Sequence, residues 1–219
     1  RELSNKNLTY LHMWSKYLQD APSESKIRDY IDKAQKDAGF LYFYFLSADG
    51  NYKMTTGETG YLGLQENIED EIQKGNDIIT NAAVPGKSQM LVFASPKAHG
   101  SYQGFKYDAI AIAYENADIV NVLDISAFNG KAKSYVLHPD GRVVIDHSLE
   151  SWGNVYNFFG ILREHTDISE KEILEISKKF KEGHTGAMLL NLDEKDYYLV
   201  YEKSEIGRAS CRERVLLAV

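Results

Sequence analysis

The sequence is poor in cysteine and proline, with one Cys (Cys211) and four Pro in 219 residues. A lone thiol excludes an internal disulfide framework and any multi-cysteine metal site. Positive charge is also short: 25 Lys and Arg stand against 32 Asp and Glu, a formal net charge of −7. The clustered basic residues that would neutralise phosphates are missing, which excludes nucleic acid as the expected partner. No apolar run approaches the ~18 residues that a membrane-crossing helix needs. No HExxH, GxSxG, Walker or Rossmann pattern occurs. The chain as given is therefore expected to be no enzyme, with no catalytic residue, no metal and no cofactor. It begins at Arg1, without an initiator Met or an export segment, as a piece excised from a longer protein would.

Tyrosine, in contrast, is abundant: there are 15, a residue suited to half-buried strands and polar pockets. The clearest local signal is Ser134 to Asp146, SYVLHPDGRVVID, in which two alternating apolar runs flank Pro139-Asp140-Gly141. Proline presets φ for a turn and Gly141 can take the left-handed position that closes it. The predicted register sets His138 opposite Arg142, Leu137 opposite Val143 and Tyr135 opposite Ile145. One face then carries Tyr135, Leu137, Val143 and Ile145. The other carries Ser134, His138, Arg142 and Asp146, interrupted by Val136 and Val144, and is expected to be mostly wet. A second copy lies upstream at Leu41 to Thr55, LYFYFLSADGNYKMT, turning at Ala48-Asp49-Gly50. Duplicated hairpins this far apart predict two similar α+β modules in tandem.

Apolar spacing predicts a helix over residues 5–18 (Leu8, Leu11, Trp14, Leu18) and another from Glu24 to Ala38, stopped by Gly39. The upstream hairpin has Phe43 and Phe45 on the face opposite Tyr42 and Tyr44, so both its faces need cover. The helix just before it is the expected cover for the phenylalanines. TTGETGYLGLQ is expected to be turn chemistry, followed by a short acidic helix (66–74) and strands at 78–84, 89–94 and 107–114. Asn116 or Asp118 is placed to cap a short helix running to about Ile125. Residues 152–163 are apolar enough for a buried helix. Ser169 and Glu172 form a capping box for a helix to Glu182, and strands follow at 187–192 and 197–201. His138, Asp140, Asp146 and His147 have metal-ligand identities, but His138 and His147 sit about five rungs apart, roughly 16 Å at ~3.3 Å per residue. A solvated hairpin face is the expected reading, and no metal is expected there.

Residues 205–215, EIGRASCRERV, read as a translation of a common sequencing adapter. Residues 205–219 are therefore expected to be a non-native tail that cuts off the last strand of the second module after Ser204. Without it the chain loses its cysteine, three Arg and two Glu, and the net charge moves from −7 to −8.

The helix-to-sheet junction KDAGFLYFYFLSADG, the strand segments GKSQMLVFASPKAHG and FKYDAIAIAY, and the opening SYVLHPDGRVVID together resemble a double Cache domain. This is the PAS-like extracellular sensor of bacterial transmembrane receptors, and the likeness covers roughly residues 8–203. The resemblance implies an α+β fold in which a long N-terminal helix precedes two tandem PAS-like modules with antiparallel sheets, the second incomplete. The expected division is a helical segment 1–40, a membrane-distal module 41–128, a membrane-proximal module 129–204 and the tail 205–219. It further implies an extracytoplasmic domain at the cell membrane, held by flanking helices and homodimeric in the intact receptor. The distal module would bind a small molecule and relay to a cytoplasmic histidine kinase, or alternatively to a GGDEF diguanylate cyclase; a further alternative is a non-binding dimerisation or relay module. The expected pocket residues are Tyr42, Tyr44, Tyr52, Phe93, Tyr107 and Tyr114, with Asp108 as a polar contact. The family's amino-acid motif uses an arginine and a tryptophan after the first hairpin. Here no Arg lies between Arg28 and Arg142, and Trp14 and Trp152 both fall outside the distal sheet.

Overall fold

A computed structural model describes residues 2–20, 23–64, 68–83, 90–115, 133–147, 157–193, 195–204 and 212–218. The chain divides into two compact units, residues 2–116 and residues 117–219, the latter also taking in Arg1.

In the first unit, helix α1 (Glu2–Asp20) places Leu8, Leu11, Trp14 and Leu18 on one buried stripe, as their spacing requires. Helix α2 (Glu24–Ala38) starts at the Ser23 cap and ends where Gly39 takes a left-handed conformation. A seven-stranded antiparallel sheet comes next, in the order β3-β2-β1-β9-β6-β5-β4. Its strands are β1 (Tyr42–Leu46), β2 (Asn51–Lys53), β3 (Thr59–Tyr61), β4 (Gly63–Leu64), β5 (Ile78–Ala83), β6 (Met90–Ser95) and β9 (Ala109–Glu115). Helix α3 (Ile68–Gln73) precedes β5, and a separate hairpin, β7 (Gly100–Tyr102) and β8 (Phe105–Tyr107), precedes β9. The glycine-rich TTGETGYLGLQ thus supplies two strands as well as turns. The stretch expected as a single strand over 107–114 breaks at Asp108, whose N–H donates to the Leu46 carbonyl at 2.9 Å.

Side-chain alternation divides this sheet into two faces. Tyr44, Leu46, Tyr52, Val92, Ala94, Ala109, Ala111 and Ala113 share one core with Leu62, Ile68 and Ile78. The opposite face meets α1, which packs on β6 and β9. Trp14 of α1 lies 5.4 Å from Phe40 and 6.2 Å from Phe43, ring centre to ring centre. Phe45 is stacked on Tyr102 at 4.3 Å and meets Tyr107 at 5.0 Å. Helix α2, next in sequence, does pack on β1. Trp14 from α1 and the β7–β8 hairpin share in covering Phe43 and Phe45.

The second unit holds a five-stranded antiparallel sheet, β11-β10-β14-β13-β12. Its strands are β10 (Lys133–Leu137), β11 (Val143–His147), β12 (Gly186–Leu192), β13 (Lys195–Ser204) and β14 (Arg212–Ala218). Helices α4 (Phe158–His165) and α5 (Glu170–Lys181) bury Phe158, Phe159, Ile173, Ile176 and Phe180 against Tyr135, Leu137, Leu190, Leu199 and Tyr201. The capping box on α5 is present as the sequence requires: Ser169 accepts from the Glu172 N–H while Glu172 accepts from the Ser169 N–H at 2.9 Å. Among residues 152–163, those from 157 on are described and helix begins at Phe158; the helix expected over 116–125 lies outside the described residues.

Both hairpin turns close alike. The Gly50 N–H donates to Ser47 O at 3.0 Å and the Gly141 N–H to His138 O at 2.8 Å. Both glycines sit in the left-handed region, at φ 86° and 87°. Each glycine carbonyl then receives a later backbone N–H, from Leu62 at 3.0 Å and from Phe158 at 2.7 Å. The repeated plan thus extends beyond the turn to the returning chain.

Three expectations need correction. Leu137 does pair with Val143, but a register shift between Val136 and Leu137 sets Ile145 opposite Val136 and Asp146 opposite Tyr135. A β-bulge adds a residue to one strand and flips the residues beyond it to the other face. The face expected to be mostly wet is also only half-exposed at His138 and Arg142, while its interruptions Val136 and Val144 are 2% and 3% exposed. Finally, the strand position expected to be empty after Ser204 is filled by β14, which pairs with β10 on one side and β13 on the other.

Candidate functional site

The seven residues expected to line one pocket do not converge. Tyr42 and Tyr44 alternate onto one sheet face, stacked at 5.9 Å, and Tyr52 joins them 4.7 Å from Tyr44. Phe93 and Tyr114 lie on the other face, edge to face at 6.0 Å. There the Tyr114 hydroxyl donates to Asn7 Oδ1 of α1 at 2.9 Å. Tyr107 is on that side as well, against Phe45. The physical reason is the two-residue period of strands: Ala113 faces with Tyr42, which sends Tyr114 to the helix side. These are core positions. Burial pushes the Tyr114 phenol up to about 12, against the opposing effect of the Asn7 contact. Burial, with Tyr52 and Tyr42 close by, pushes Tyr44 higher still. Both hydroxyls stay protonated and neutral.

Three of the tyrosines have a structural task. Tyr52 faces Gly60, Tyr107 faces Gly100 and Tyr201 faces Gly186, each as a direct cross-strand pair. Each phenol ring lies over its glycine: a Cβ at Gly60 would come 2.7 Å from Tyr52 Oη, and one at Gly100 would come 3.2 Å from Tyr107 Oη. An aromatic laid over a cross-strand glycine covers backbone that the glycine leaves bare. This packing takes up part of the tyrosine abundance.

Two of the expected residues, Tyr52 and Asp108, do meet at a cleft of about 720 Å³ at the turn end of the first unit's sheet. Its walls come from the 47–52 hairpin, from Thr59 and Gly60 of β3, from Glu69 of α3 and from Gly104, Phe105 and Lys106 of the β7–β8 hairpin. Asp108 occupies the corner where β8 passes into β9, and its Oδ2 accepts the Ala48 N–H at 2.9 Å. Asp49 is held by the Ser47 hydroxyl and by the Asn51 N–H and side-chain amide, which keep its carboxyl below the usual range. Three carboxylates, one ammonium and the Tyr52 and Phe105 rings therefore border the cleft. Such a surface can hold a small polar molecule by hydrogen bonds and ring contact.

Phe105, Lys106 and Glu69 were not anticipated from sequence. The available signal was Tyr102-Gln103-Gly104-Phe105, an alternating segment around x-Gly. Gln103 and Gly104 take φ of 47° and 75°, the pattern of a two-residue hairpin turn. Nothing local, however, shows that this hairpin lies beside the first one. Among the described residues no group of three or more His, Cys, Asp or Glu is placed to hold a metal ion. His138 instead contacts Asp140 at 3.0 Å, across from Arg142.

No family model matches the chain, and no curated protein matches its sequence. Solved structures do match its fold. The ligand-binding domain of the Pseudomonas aeruginosa PAO1 amino acid chemoreceptor PctC, in complex with GABA, is 12% identical with a TM-score of 0.62, over 100% of this chain and 92% of that one. The extracellular domain of mmHK1S-Z3, described as a histidine kinase, is 13% identical with a TM-score of 0.65, over 98% and 86%. The periplasmic sensory domain of the Campylobacter jejuni chemoreceptor Tlp1 is 13% identical with a TM-score of 0.57, over 99% and 88%. At such identities the likeness carries the fold. The chain shares the α+β fold of these three domains, the fold that its sequence resemblance implied.

Proposed function

We propose that this chain is the extracytoplasmic ligand-sensing region of a membrane signal-transduction receptor, and that it binds a small molecule in the cleft of its first unit. The observation that carries the reading is a match to extracellular sensor domains along nearly the whole chain, joined to a cleft that contains Tyr52 and Asp108. One such domain is complexed with GABA, which makes small amino compounds the first probes. A bound molecule that prefers one arrangement of the β7–β8 hairpin against α3 would shift the population of that arrangement. Relay to a cytoplasmic histidine kinase, from a homodimer held in the membrane by flanking helices, belongs to the same proposal.

The second reading, a non-binding relay module, is favoured by one feature: the sheet face bearing Tyr44 and Ala111 is filled by the unit's own side chains. A thermal-shift screen decides between them, using GABA, L-Gln, L-Arg and panels of amines, carboxylates and sugars. Binding is expected to raise the midpoint, by about 2.7 kcal/mol of added stability at a hundredfold excess over Kd. Asp108→Asn and Phe105→Ala should abolish that rise while keeping the fold. A panel without response would leave the relay reading, and a response that both variants retain would overturn the cleft as the binding site.

A further inference from the structure

On the opposite side of the same sheet, helix α1 is fastened by a polar cluster that the ligand reading does not use. His12 of α1 places Nε2 at 2.9 and 2.8 Å from the two carboxylate oxygens of Asp77, the residue just before β5. The buried Ser95 hydroxyl donates to Asp77 Oδ1 at 2.7 Å, from the end of β6. The other imidazole nitrogen, Nδ1, faces Lys97 Nζ at 3.4 Å. The Lys97 carbonyl in turn accepts from the Gln19 side chain near the end of α1, at 3.2 Å. Asp77 and Lys97 are the charged groups that meet the imidazole from the sheet side. On α1 itself, Lys16 lies one turn further on and is exposed.

The hydrogen-bonding capacity of each group fixes what this arrangement can do. A carboxylate with no proton of its own accepts at both oxygens, so Nε2 carries hydrogen. An ammonium only donates, so a neutral His12 offers Lys97 the Nδ1 lone pair. One more proton on the ring goes to Nδ1 and ends that bond, leaving two cations 3.4 Å apart. The same proton turns the Asp77 contact into an ion pair, with the Asp77 side chain 16% exposed and so weakly screened. We infer that His12 is a proton-operated switch on α1, exchanging a tether to the β6–β7 connection at Lys97 for a tighter one to β5 at Asp77. A proton on that ring then loosens residues 96–99, which keep only the Gln19 contact to the Lys97 carbonyl, while α1 stays seated.

Imidazole nitrogen spectra and amide hydrogen exchange of the full chain between pH 8 and pH 5 test this. Neutral His12 should be the Nε2–H tautomer. After correction for intrinsic exchange, residues 96–99 should open severalfold more often at the acid end, with α1 unchanged or better protected. Lys97→Met should remove that pH response. Asp77→Asn should make α1, rather than 96–99, the segment that opens on acidification. An Nδ1–H tautomer, or the same pH response at 96–99 in Lys97→Met as in the unmodified chain, overturns the switch. Lys97 is an exposed side chain, so its replacement leaves the fold in place to be measured.

Discussion

Asp140 shows how one side chain organises a turn. Burial alone would push its carboxyl up, but the His138 ring, the Arg142 N–H and the Arg142 guanidinium together hold it well below the usual carboxylate range. Asp49 stands at the same place in the upstream hairpin, gripping Asn51 in the same way. A carboxyl depressed in the folded state contributes stability above its unfolded value, near pH 4, and loses it as pH falls toward the folded value. Asp140→Asn should therefore cost about 1 kcal/mol or less at pH 7, since the carboxylate is 42% exposed and water screens its pairs. It should also flatten the acid decline below about pH 4. Urea titrations at pH 7, 4 and 2.5 would measure both, and an unaltered acid slope would count against Asp140 as a contributor. The residue identities here were legible in sequence, as was the left-handed glycine beside them. The neighbouring bulge was not, because VVID alternates equally well in either register and only pairing with β10 selects one.

At the scale of elements, helices and their stops were the most legible. α2 runs from Glu24 to Ala38 as predicted, and α5 begins at its capping box, because caps act within four residues. Strands in the glycine-rich segment are not legible locally, since what makes them strands is a partner: Gly60 needs the Tyr52 ring over it. β14 is the extreme case. Residues 212–218 lie between β10 and β13, so every backbone pairing between the two halves of the second sheet passes through them. Ending the chain at Ser204 should expose two unpaired strand edges and lower the melting midpoint of the second unit by ten degrees or more, since 1 kcal/mol corresponds to about 4–8 °C at this size. Circular dichroism melts of the 1–204 and 1–219 chains would show it. Equal melts would mean that β14 contributes nothing to the sheet, as an appended tail would.

At the scale of the whole molecule, all seven strands of the first sheet find their partners within residues 2–116, as do α1 and α2. Residues 2–116 expressed alone should therefore fold, with dispersed amide spectra and a cooperative melt. A molten, ANS-binding product would show that the unit depends on the rest of the chain. Two tandem α+β units were readable from the duplicated hairpin. Which strands α1 packs on was not, since an apolar stripe specifies a buried face and leaves its partner open.

Short-range chemistry governs the helix limits, the two Asp-Gly turns and the alternation that separates Tyr44 from Phe45, and these are legible along the chain. A single cysteine likewise excludes an internal disulfide. Tertiary structure decided which of these surfaces meet. Seven candidate residues became two sheet faces and one cleft, because strand order and the corner at Asp108 place Tyr52 beside Phe105 and send Tyr114 under α1. Contacts such as Ala48–Asp108, 60 residues apart, and Asn7–Tyr114, 107 apart, depend on which elements meet, and no local window of sequence contains that information.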